Sequence, residues 1–349
     1  MYEEIKSQPE AVARSLLQAE VTGEEAARTV RDARRVVVTG CGTSFYAAEI
    51  GAWMIRAFSR GRVDARAVIA SEPASYDWGI SSGDVLIGVT HAGSTAMTCR
   101  ALERARAAGA STMAVTGFPE SRAGELAERV LATGYADERS WAHTISFTAA
   151  LATLAALGNA VASESERLDL AALPEVLREA LELEEMAHRL AASVVASQRG
   201  PVQIVLAGGG PNAATAREGA LKLLETSYVS ASGWDLEQML HGPLAAVSPE
   251  TVAIVLAPSG GSVERAAGLA GALQRIGADP VVITDEDGAN RFEAAHRLLL
   301  PAVPEVVSAL PMVVPLQLFS YFMAVGKGLN PDLIHRDDER YRVAREAYE

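Results

Sequence analysis

An internal repeat is the feature that most narrowly limits how this chain can fold. A run of small and β-branched residues ending in glycine, at positions 36–40, reappears 168 positions later as residues 204–208. The same offset relates residues 51–52 to 219–220, 87–90 to 255–258, 109–110 to 277–278, and 114–116 to 282–284. Strand-like runs alternate with helical patterns in both halves, as in parallel sheets covered by helices. We therefore predict a duplicated α/β domain rather than two unrelated halves of similar composition.

A long helical stretch is predicted to connect the two copies. In the first copy we predict strands at residues 36–40, 85–90 and 113–116, and helices from about Ser44, over 94–108 and over 142–163. The helix is predicted over residues 173–197, and the linker is the helical stretch from about Leu170 to Arg199, which ends at Gly200 and Pro201. We predict a first domain at residues 1–170, the connecting helix with the second domain at 171–327, and a C-terminal tail at 328–349.

The charge and the cysteine content limit the classes of partner. A formal net charge of −13 argues against a nucleic-acid surface. It does not exclude an anionic ligand, because backbone N–H groups at a helix N-terminus can hold a phosphate without basic side chains. Cys41 and Cys99 have no histidine or second cysteine at metal-ligand spacing. We therefore expect no disulfide scaffold, no metal site and a reducing compartment.

No segment has the pattern expected of a membrane span or a signal peptide. The N-terminal residues lack the basic-then-apolar order of a signal peptide. The apolar residues 306–325 are interrupted by Pro311 and Pro315 and contain Gln317, which favours a buried helix over a membrane span. We therefore expect a cytoplasmic protein without membrane contact.

The helix after the first strand differs between the copies at two positions. Met54 and Ala57 of the first copy become Lys222 and Glu225 in the second. Positions three apart share a helix face, and the apolar pair indicates that this face is packed. Buried charges are costly unless they are paired or functional, so Lys222 and Glu225 are candidate catalytic residues. The alternative is a slightly rotated helix that exposes them as a solvated ion pair.

Two glycine turns of the first copy carry hydroxyl side chains. They are residues 40–44 (GCGTS) and residues 90–95 (THAGST). Both follow predicted parallel strands, whose carboxyl ends border one crevice. Their N–H and hydroxyl groups suit a phosphate monoester, although Ser44, Ser94 and Thr95 are also typical helix caps. Neither turn has the P-loop or GxGxxG pattern, so nucleotide binding is not supported.

His241 stands out among the six histidines. It precedes Gly242 and Pro243, which fix the backbone just after the imidazole. A loop histidine in this setting can act as an acid or base near neutral pH, or it can be a structural hydrogen-bonding group. His91 lies inside the second glycine turn and His143 at a predicted helix start. For these two, ligand contact and simple space filling both stay open.

Together these motifs resemble one known family. Residues 41–44 (CGTS), 93–95 (GST), 218–225 (EGALKLLE) and 241–244 (HGPL) are similar to those of the sugar isomerase (SIS) family. Within it, the likeness is to the isomerase half of glucosamine-6-phosphate synthases and to stand-alone glucosamine-6-phosphate deaminases and fructosamine-6-phosphate deglycases. The resemblance extends to about Pro331. It implies two tandem αβα-sandwich SIS domains with parallel, flavodoxin-like sheets, usually in a homodimer.

The resemblance also implies roles for the candidate residues. Glu225 matches the acid/base that moves a proton between C1 and C2 of the sugar, and Lys222 matches the lysine beside it. His241 matches the histidine that opens the sugar ring, which the neighbouring subunit commonly contributes. The candidates for binding phosphate and sugar are Cys41, Gly42, Thr43, Ser44, Thr90, His91, Ala92, Gly93, Thr95 and His143.

Departures from the family's pattern leave the substrate open. Residues 90–92 (THA) stand where the synthases have a Ser-Gln-Ser run, and His143 stands where they have a serine. The synthases also carry a tail lysine that forms an imine with the keto sugar, whereas residues 333–349 contain no lysine. Arg345 cannot form that imine, because an arginine side chain stays protonated.

We predict an enzyme that converts glucosamine 6-phosphate to fructose 6-phosphate and ammonia without a metal or organic cofactor. Because the sequence starts at the isomerase half, with no N-terminal cysteine nucleophile, we do not expect a glutamine-dependent synthase unless a partner chain delivers ammonia. A fructosamine-6-phosphate deglycase, a simple aldose–ketose isomerase and a non-catalytic phosphosugar sensor are the alternatives. Sensors usually add a basic helix-turn-helix segment, for which residues 1–35 offer little room. The predicted partners are a sugar phosphate and a second copy of the chain that shares the active site.

Overall fold

The computed structural model describes residues 1–197, 203–292 and 296–347, and within them the chain forms ten strands and fourteen α-helices. The strands are β1 Arg35–Gly40, β2 Ala65–Ile69, β3 Asp84–Val89, β4 Ser111–Thr116, β5 Arg129–Ala132, β6 Gln203–Gly208, β7 Ser230–Asp235, β8 Val252–Ala257, β9 Val281–Asp285 and β10 His296–Leu300. The helices are α1 Tyr2–Lys6, α2 Gln8–Arg31, α3 Thr43–Phe58, α4 Ser71–Ser75, α5 Ala96–Ala107, α6 Arg122–Leu126, α7 Ile145–Val161, α8 Leu173–Leu181, α9 Glu184–Ser197, α10 Asn212–Thr226, α11 Leu236–Leu240, α12 Val263–Ile276, α13 Ala309–Gly326 and α14 Glu339–Arg345.

Two five-stranded sheets of identical topology confirm the predicted duplication. The first sheet has the order β2-β1-β3-β4-β5, and the second has the matching order β7-β6-β8-β9-β10. Every strand pair in both sheets is parallel. This is the flavodoxin-like strand order, in which a crevice forms at the carboxyl ends where the order reverses. The predicted α/β fold is therefore confirmed.

The predicted constant offset of 168 residues between the copies is wrong by one residue for the pair of third strands, β3 and β8. Val36 pairs with Val85 in the first sheet, whereas Ile204 pairs with Val252 in the second. Ile87 packs in the same core cluster as Val36. Ile254 belongs to that cluster too, whereas Val255 belongs to another, so the counterpart of Ile87 is Ile254. Because side chains alternate across a strand, matching Ile87 with Val255 would put it on the opposite face.

A buried helix at the centre of the fold accounts for the apolar stretch near the C-terminus. Of the described residues, only α13 is long and apolar enough to cross a membrane, and 78% of it is buried inside the fold. It packs against α8, α9 and α10. The prediction of a buried helix at residues 306–325 is confirmed.

The connecting stretch forms two helices instead of the single one predicted. The chain bends between α8 and α9, which lets α8 pack on both α2 and α13 while α9 packs on α13. Leu181 and Leu183 flank the bend, and both are buried in the core. Arg199, Gly200 and Pro201 of the predicted linker lie outside the described residues. The domain boundaries at residues 170 and 327 stay predictions.

The two copies meet where the first helix of each domain packs against the other. Helices α3 and α10 are in contact, and Glu49 of α3 forms an ion pair with Arg217 of α10 at 2.8 Å between Oε1 and Nη2. These two residues occupy positions related by the repeat. This contact brings α10 of the second copy to the first glycine turn of the first copy.

Candidate active site

A cavity of about 520 Å³ lies at the carboxyl ends of the strands of the first sheet. Nine of the predicted site residues line it: Cys41, Gly42, Thr43, Ser44, His91, Ala92, Thr95, His143 and Glu225. The first eight belong to the first copy, whereas Glu225 comes from α10 of the second. The cavity is therefore built from both copies within one chain.

Two helix N-termini meet at this cavity. Helix α3 begins at Thr43 after Gly42, whose φ of 55° favours glycine, and α5 begins just after Thr95. A helix N-terminus carries unpaired N–H groups and partial positive charge, which attract an anion. Ser44 lies inside α3 rather than at its cap. Thr95 is the cap residue of α5, but its hydroxyl bonds the Thr90 hydroxyl at 3.0 Å.

Lys222 is fully buried and surrounded by oxygen atoms. Its Nζ lies 2.5 Å from Oε2 of Glu225, 3.1 Å from Oγ1 of Thr43 and 3.3 Å from Oε1 of Glu218. The Glu225 side chain is 23% exposed and reaches the cavity. The alternative of a solvated ion pair is therefore wrong, because Lys222 lies beneath the cavity floor rather than in solvent.

Burial and charge shift the pKa values of this cluster. Burial raises the pKa of Glu218 to about 8, and the negative charge of Glu225 adds to the rise. One carboxylate oxygen of Glu218 has no hydrogen-bond partner among the described residues, which disfavours its charged form. Burial alone would lower the pKa of Lys222, but the charges of Glu218 and Glu225 outweigh it and raise that pKa. Lys222 therefore stays protonated.

Four predicted site residues do not line the cavity. Lys222 lies beneath it, and Thr90 and Gly93 are buried residues of the second glycine turn that do not line it. His241 ends α11 on the outer surface, where its side chain is 73% exposed and Nε2 lies 3.5 Å from Oε2 of Glu237. Within one chain, His241 is therefore separate from the cavity that holds Glu225.

His91 and His143 face each other across one side of the cavity. Their ring centroids are 5.3 Å apart, and burial lowers the pKa of His91. His143 Nδ1 lies 2.8 Å from Oε2 of Glu138, a carboxylate whose side chain is fully buried. Sequence reasoning missed Glu138, although a carboxylate five positions before a candidate histidine could have drawn attention to it.

The C-terminal tail supplies two lining residues that sequence reasoning also missed. Ile334 and Arg336 both line the cavity. The Arg336 guanidinium stacks on the ring of Trp141, with 3.2 Å from Cζ to the ring centroid. The backbone N–H of Trp141 donates a hydrogen bond to the backbone carbonyl of Asp332 at 3.0 Å, which ties the tail to the loop before α7. No local sequence pattern indicates this contact.

The sequence of each half matches the same family profile. The SIS domain profile matches residues 29–160 and again residues 199–326. The chain belongs to the SIS domain family. Each matched segment contains one of the two parallel sheets, so this SIS protein carries the domain twice.

One curated relative is the glutamine–fructose-6-phosphate aminotransferase (isomerizing) of Zymomonas mobilis. The SIS protein is 31% identical to it over 350 residues, which is 95% of this chain and 57% of the relative. The chain thus spans little more than half the length of that relative.

Solved SIS-fold structures superpose over most of the chain. The C-terminal domain of glucosamine-fructose-6-phosphate aminotransferase from Francisella tularensis has a TM-score of 0.87 at 24% identity, covering 95% of this chain and 97% of that one. Tagatose-6-phosphate ketose/aldose isomerase from Escherichia coli has 0.81 at 21%, covering 95% and 94%. Glucosamine-6-phosphate deaminase from Thermotoga maritima has 0.67 at 20%, covering 92% and 97%. At these identities the likeness concerns the fold.

Proposed function

We propose that this protein converts glucosamine 6-phosphate and water to fructose 6-phosphate and ammonia. The observation that carries the proposal is the position of Glu225, which shares one cavity with both glycine turns of the first copy. A base on one side and an anion-binding edge on the other suit a ligand with a phosphate at one end and a reactive carbon at the other.

The phosphate end of the substrate binds at the N-termini of α3 and α5. Gly42, Thr43, Ser44 and Thr95 line the cavity there. Two helix dipoles and the hydroxyl groups favour a phosphate dianion even though the chain as a whole is acidic.

The opposite end of the sugar faces Glu225. After ring opening, the Glu225 carboxylate removes the proton from C2, and the C2–H electrons form a C1–C2 double bond as the aldehyde oxygen is protonated. Return of the proton to C1 gives a C2 imine. Water adds to this imine and ammonia leaves, which yields the ketose. Lys222 holds the Glu225 carboxylate in position through the 2.5 Å ion pair.

The names of the similar proteins favour amino-sugar chemistry. The residues that line the cavity favour a reaction that uses no tail lysine. The relatives include an aminotransferase that acts with fructose 6-phosphate and a glucosamine-6-phosphate deaminase. The tail residues that reach the cavity are Ile334 and Arg336, and neither side chain can form an imine with a keto sugar.

The complete active site is proposed to need a second subunit. His241 is the candidate acid/base for ring opening, yet it is exposed on the surface and does not line its own chain's cavity. A homodimer that places His241 of one chain at the cavity of the other supplies the missing group. We expect this dimer in the cytoplasm.

The first test is Glu225→Gln. The amide keeps the shape of the side chain but cannot accept the C2 proton, so turnover should fall at least about 100-fold, while glucosamine 6-phosphate still binds. Ammonia release and loss of the C2 proton in heavy water measure turnover, and calorimetry measures binding. The control is Glu185→Gln, which alters an exposed carboxylate that pairs with Arg189. An undiminished rate in Glu225→Gln would remove Glu225 from the mechanism.

Incubation with three different substrates distinguishes the proposed reaction from its alternatives. The wild-type protein is incubated with glucosamine 6-phosphate, with fructoselysine 6-phosphate and with tagatose 6-phosphate. Ammonia from the first supports the proposal, free lysine from the second indicates a deglycase, and aldose formation from the third indicates a simple isomerase. Binding without turnover of any of them indicates a sensor.

A further inference from the structure

A group of three possible metal ligands lies at the wall of the cavity, where two of them, His91 and His143, line it. His91, Glu138 and His143 each offer one ligand atom, and these atoms all lie within 4.8 Å of one another. His91 belongs to the second glycine turn, whereas Glu138 and His143 lie in the loop before α7. The expectation of no metal site rested on the spacing around the two cysteines, whereas these ligands come from two segments far apart in the chain.

Backbone contacts fix the Glu138 carboxylate at one oxygen so that its other oxygen is directed at His143. Its Oε1 accepts hydrogen bonds from the N–H groups of Thr144 at 2.6 Å and Ile145 at 3.1 Å. Its Oε2 faces Nδ1 of His143 at 2.8 Å. A metal-binding carboxylate needs this kind of support from surrounding groups, because it sets the direction of the ligand oxygen.

The His91 ring has hydrogen-bonding capacity that the protein leaves unused. Its Nδ1 is buried and has no hydrogen-bond partner among the described residues. The ring contacts Phe118 edge-on and His143 at 5.3 Å between centroids. An unsatisfied buried nitrogen is costly, and a metal ion bound through this imidazole would give the ring a polar partner.

We propose that His91, Glu138 and His143 bind one divalent transition-metal ion, such as Zn²⁺, with an open coordination position facing the cavity. Two histidines and one glutamate are a known ligand set of open zinc sites. A tetrahedral ion with bonds of about 2.0–2.2 Å needs ligand atoms roughly 3.4 Å apart, and the atoms here are between 2.8 and 4.8 Å apart. Small side-chain rotations therefore complete the site. The open position would take an oxygen atom of whatever ligand occupies the cavity.

Metal titration tests this proposal without any sugar phosphate, so its outcome is independent of the proposed function. The full-length protein is stripped with a chelator and titrated with Zn²⁺ by calorimetry and with Co²⁺ by visible absorption. We expect one ion per chain and a tetrahedral Co²⁺ spectrum. His91→Gln and His143→Ser should each weaken Zn²⁺ binding at least about 10-fold, because each removes a ligand, and both variants keep a small polar group at the cavity wall.

A matched control separates this site from adventitious surface binding. His296 lies 3.1 Å from Asp279, and both side chains are exposed, so this pair resembles the proposed site in composition but not in burial. His296→Ala should leave the affinity and the Co²⁺ spectrum unchanged. Wild-type affinity in His91→Gln and His143→Ser, an equal loss in His296→Ala, or the absence of stoichiometric binding would each overturn the proposal. Circular dichroism of each variant confirms that it has folded.

Discussion

Lys222 can carry a charge in a fully buried position because three oxygen atoms share its ammonium group. The equivalent position in the first copy holds Met54, which is also fully buried, so the fold accepts an apolar side chain there. An unpaired charge at this depth would cost several kcal/mol. Thr43, Glu218 and Glu225 remove that penalty, and of the two carboxylates only Glu225 reaches the cavity. The cluster therefore fixes the position of the proposed base.

Glu218 should make the stability of the protein depend on pH. Its pKa is raised from 4.5 to about 8, so the folded state holds this proton more tightly than the unfolded state does. The free energy of unfolding should therefore fall as the pH rises between these two values. Glu218→Gln cannot ionise, so it should gain stability relative to the wild type across the same interval.

Urea denaturation at several pH values measures this difference. Glu185→Gln is the control, because this variant removes an exposed carboxylate and should keep the pH dependence of the free energy of unfolding that the wild type shows. Parallel curves for Glu218→Gln and the wild type would mean that Glu218 is ionised in the folded protein at neutral pH, contrary to the raised pKa.

Most of the site residues that could be predicted lie in the two glycine turns or differ between the copies. Lys222 and Glu225 stood out because Met54 and Ala57 occupy the matching positions. Glu138, Trp141 and Arg336 could not be found in this way. Trp141 and Arg336 line the cavity from the loop before α7 and from the tail, and Glu138 contacts His143, which also lines it. Their positions depend on contacts between distant segments, such as the stacking of Arg336 on Trp141.

At the scale of elements, a glycine in each copy lets two helices approach closely. A Cβ atom added to Gly51 of α3 would lie 2.8 Å from Leu154 of α7, and one added to Gly219 of α10 would lie 2.7 Å from Leu316 of α13. Both distances are below normal van der Waals contact. The glycine pair that helped to reveal the repeat therefore marks the same helix–helix contact in both copies.

Gly219→Ala should destabilise the protein by about 1–3 kcal/mol, because the extra methyl group overpacks the α10–α13 contact. Gly268→Ala is the matched control. Gly268 lies within α12 with no atom near its would-be Cβ, so alanine there should stabilise the protein by about 0.5–1 kcal/mol through helix propensity. Thermal and urea denaturation compare the two variants. If the two variants change the free energy of unfolding equally, close packing is not the role of Gly219.

Strands were predictable where they are buried on both faces and apolar throughout. This holds for β1, β3 and β4 and for β6, β8 and β9, whose residues are nearly all buried. The edge strand β7 has the sequence SASGWD and is only half-buried, so it lacks an apolar signal. The residue-by-residue offset failed in the third strands because the connections around the second strands differ in length between the copies.

At the scale of the whole molecule, side chains occupy the two turns of the second copy that correspond to the cavity-lining turns of the first. The turn at Gly210 corresponds to the cavity-lining turn at Gly42, but Trp53 of the first copy packs against it. The next turn is filled by Glu305, whose Oε2 accepts the Gly261 N–H at 2.9 Å. A carboxylate therefore satisfies a helix N-terminus in the second copy, where the first copy leaves room for a ligand.

The separation of His241 from Glu225 leads to a prediction about the assembly. If each site takes His241 from the partner chain, co-expressed Glu225→Gln and His241→Ala chains should form mixed dimers with one intact site. Random pairing should then give about a quarter of the wild-type rate, although each variant alone is nearly inactive. Two affinity tags isolate the mixed dimer, and ammonia release measures its activity. A mixed dimer as inactive as its parents would mean that both residues serve the same chain's cavity, and the surface position of His241 would then require a large movement of α11.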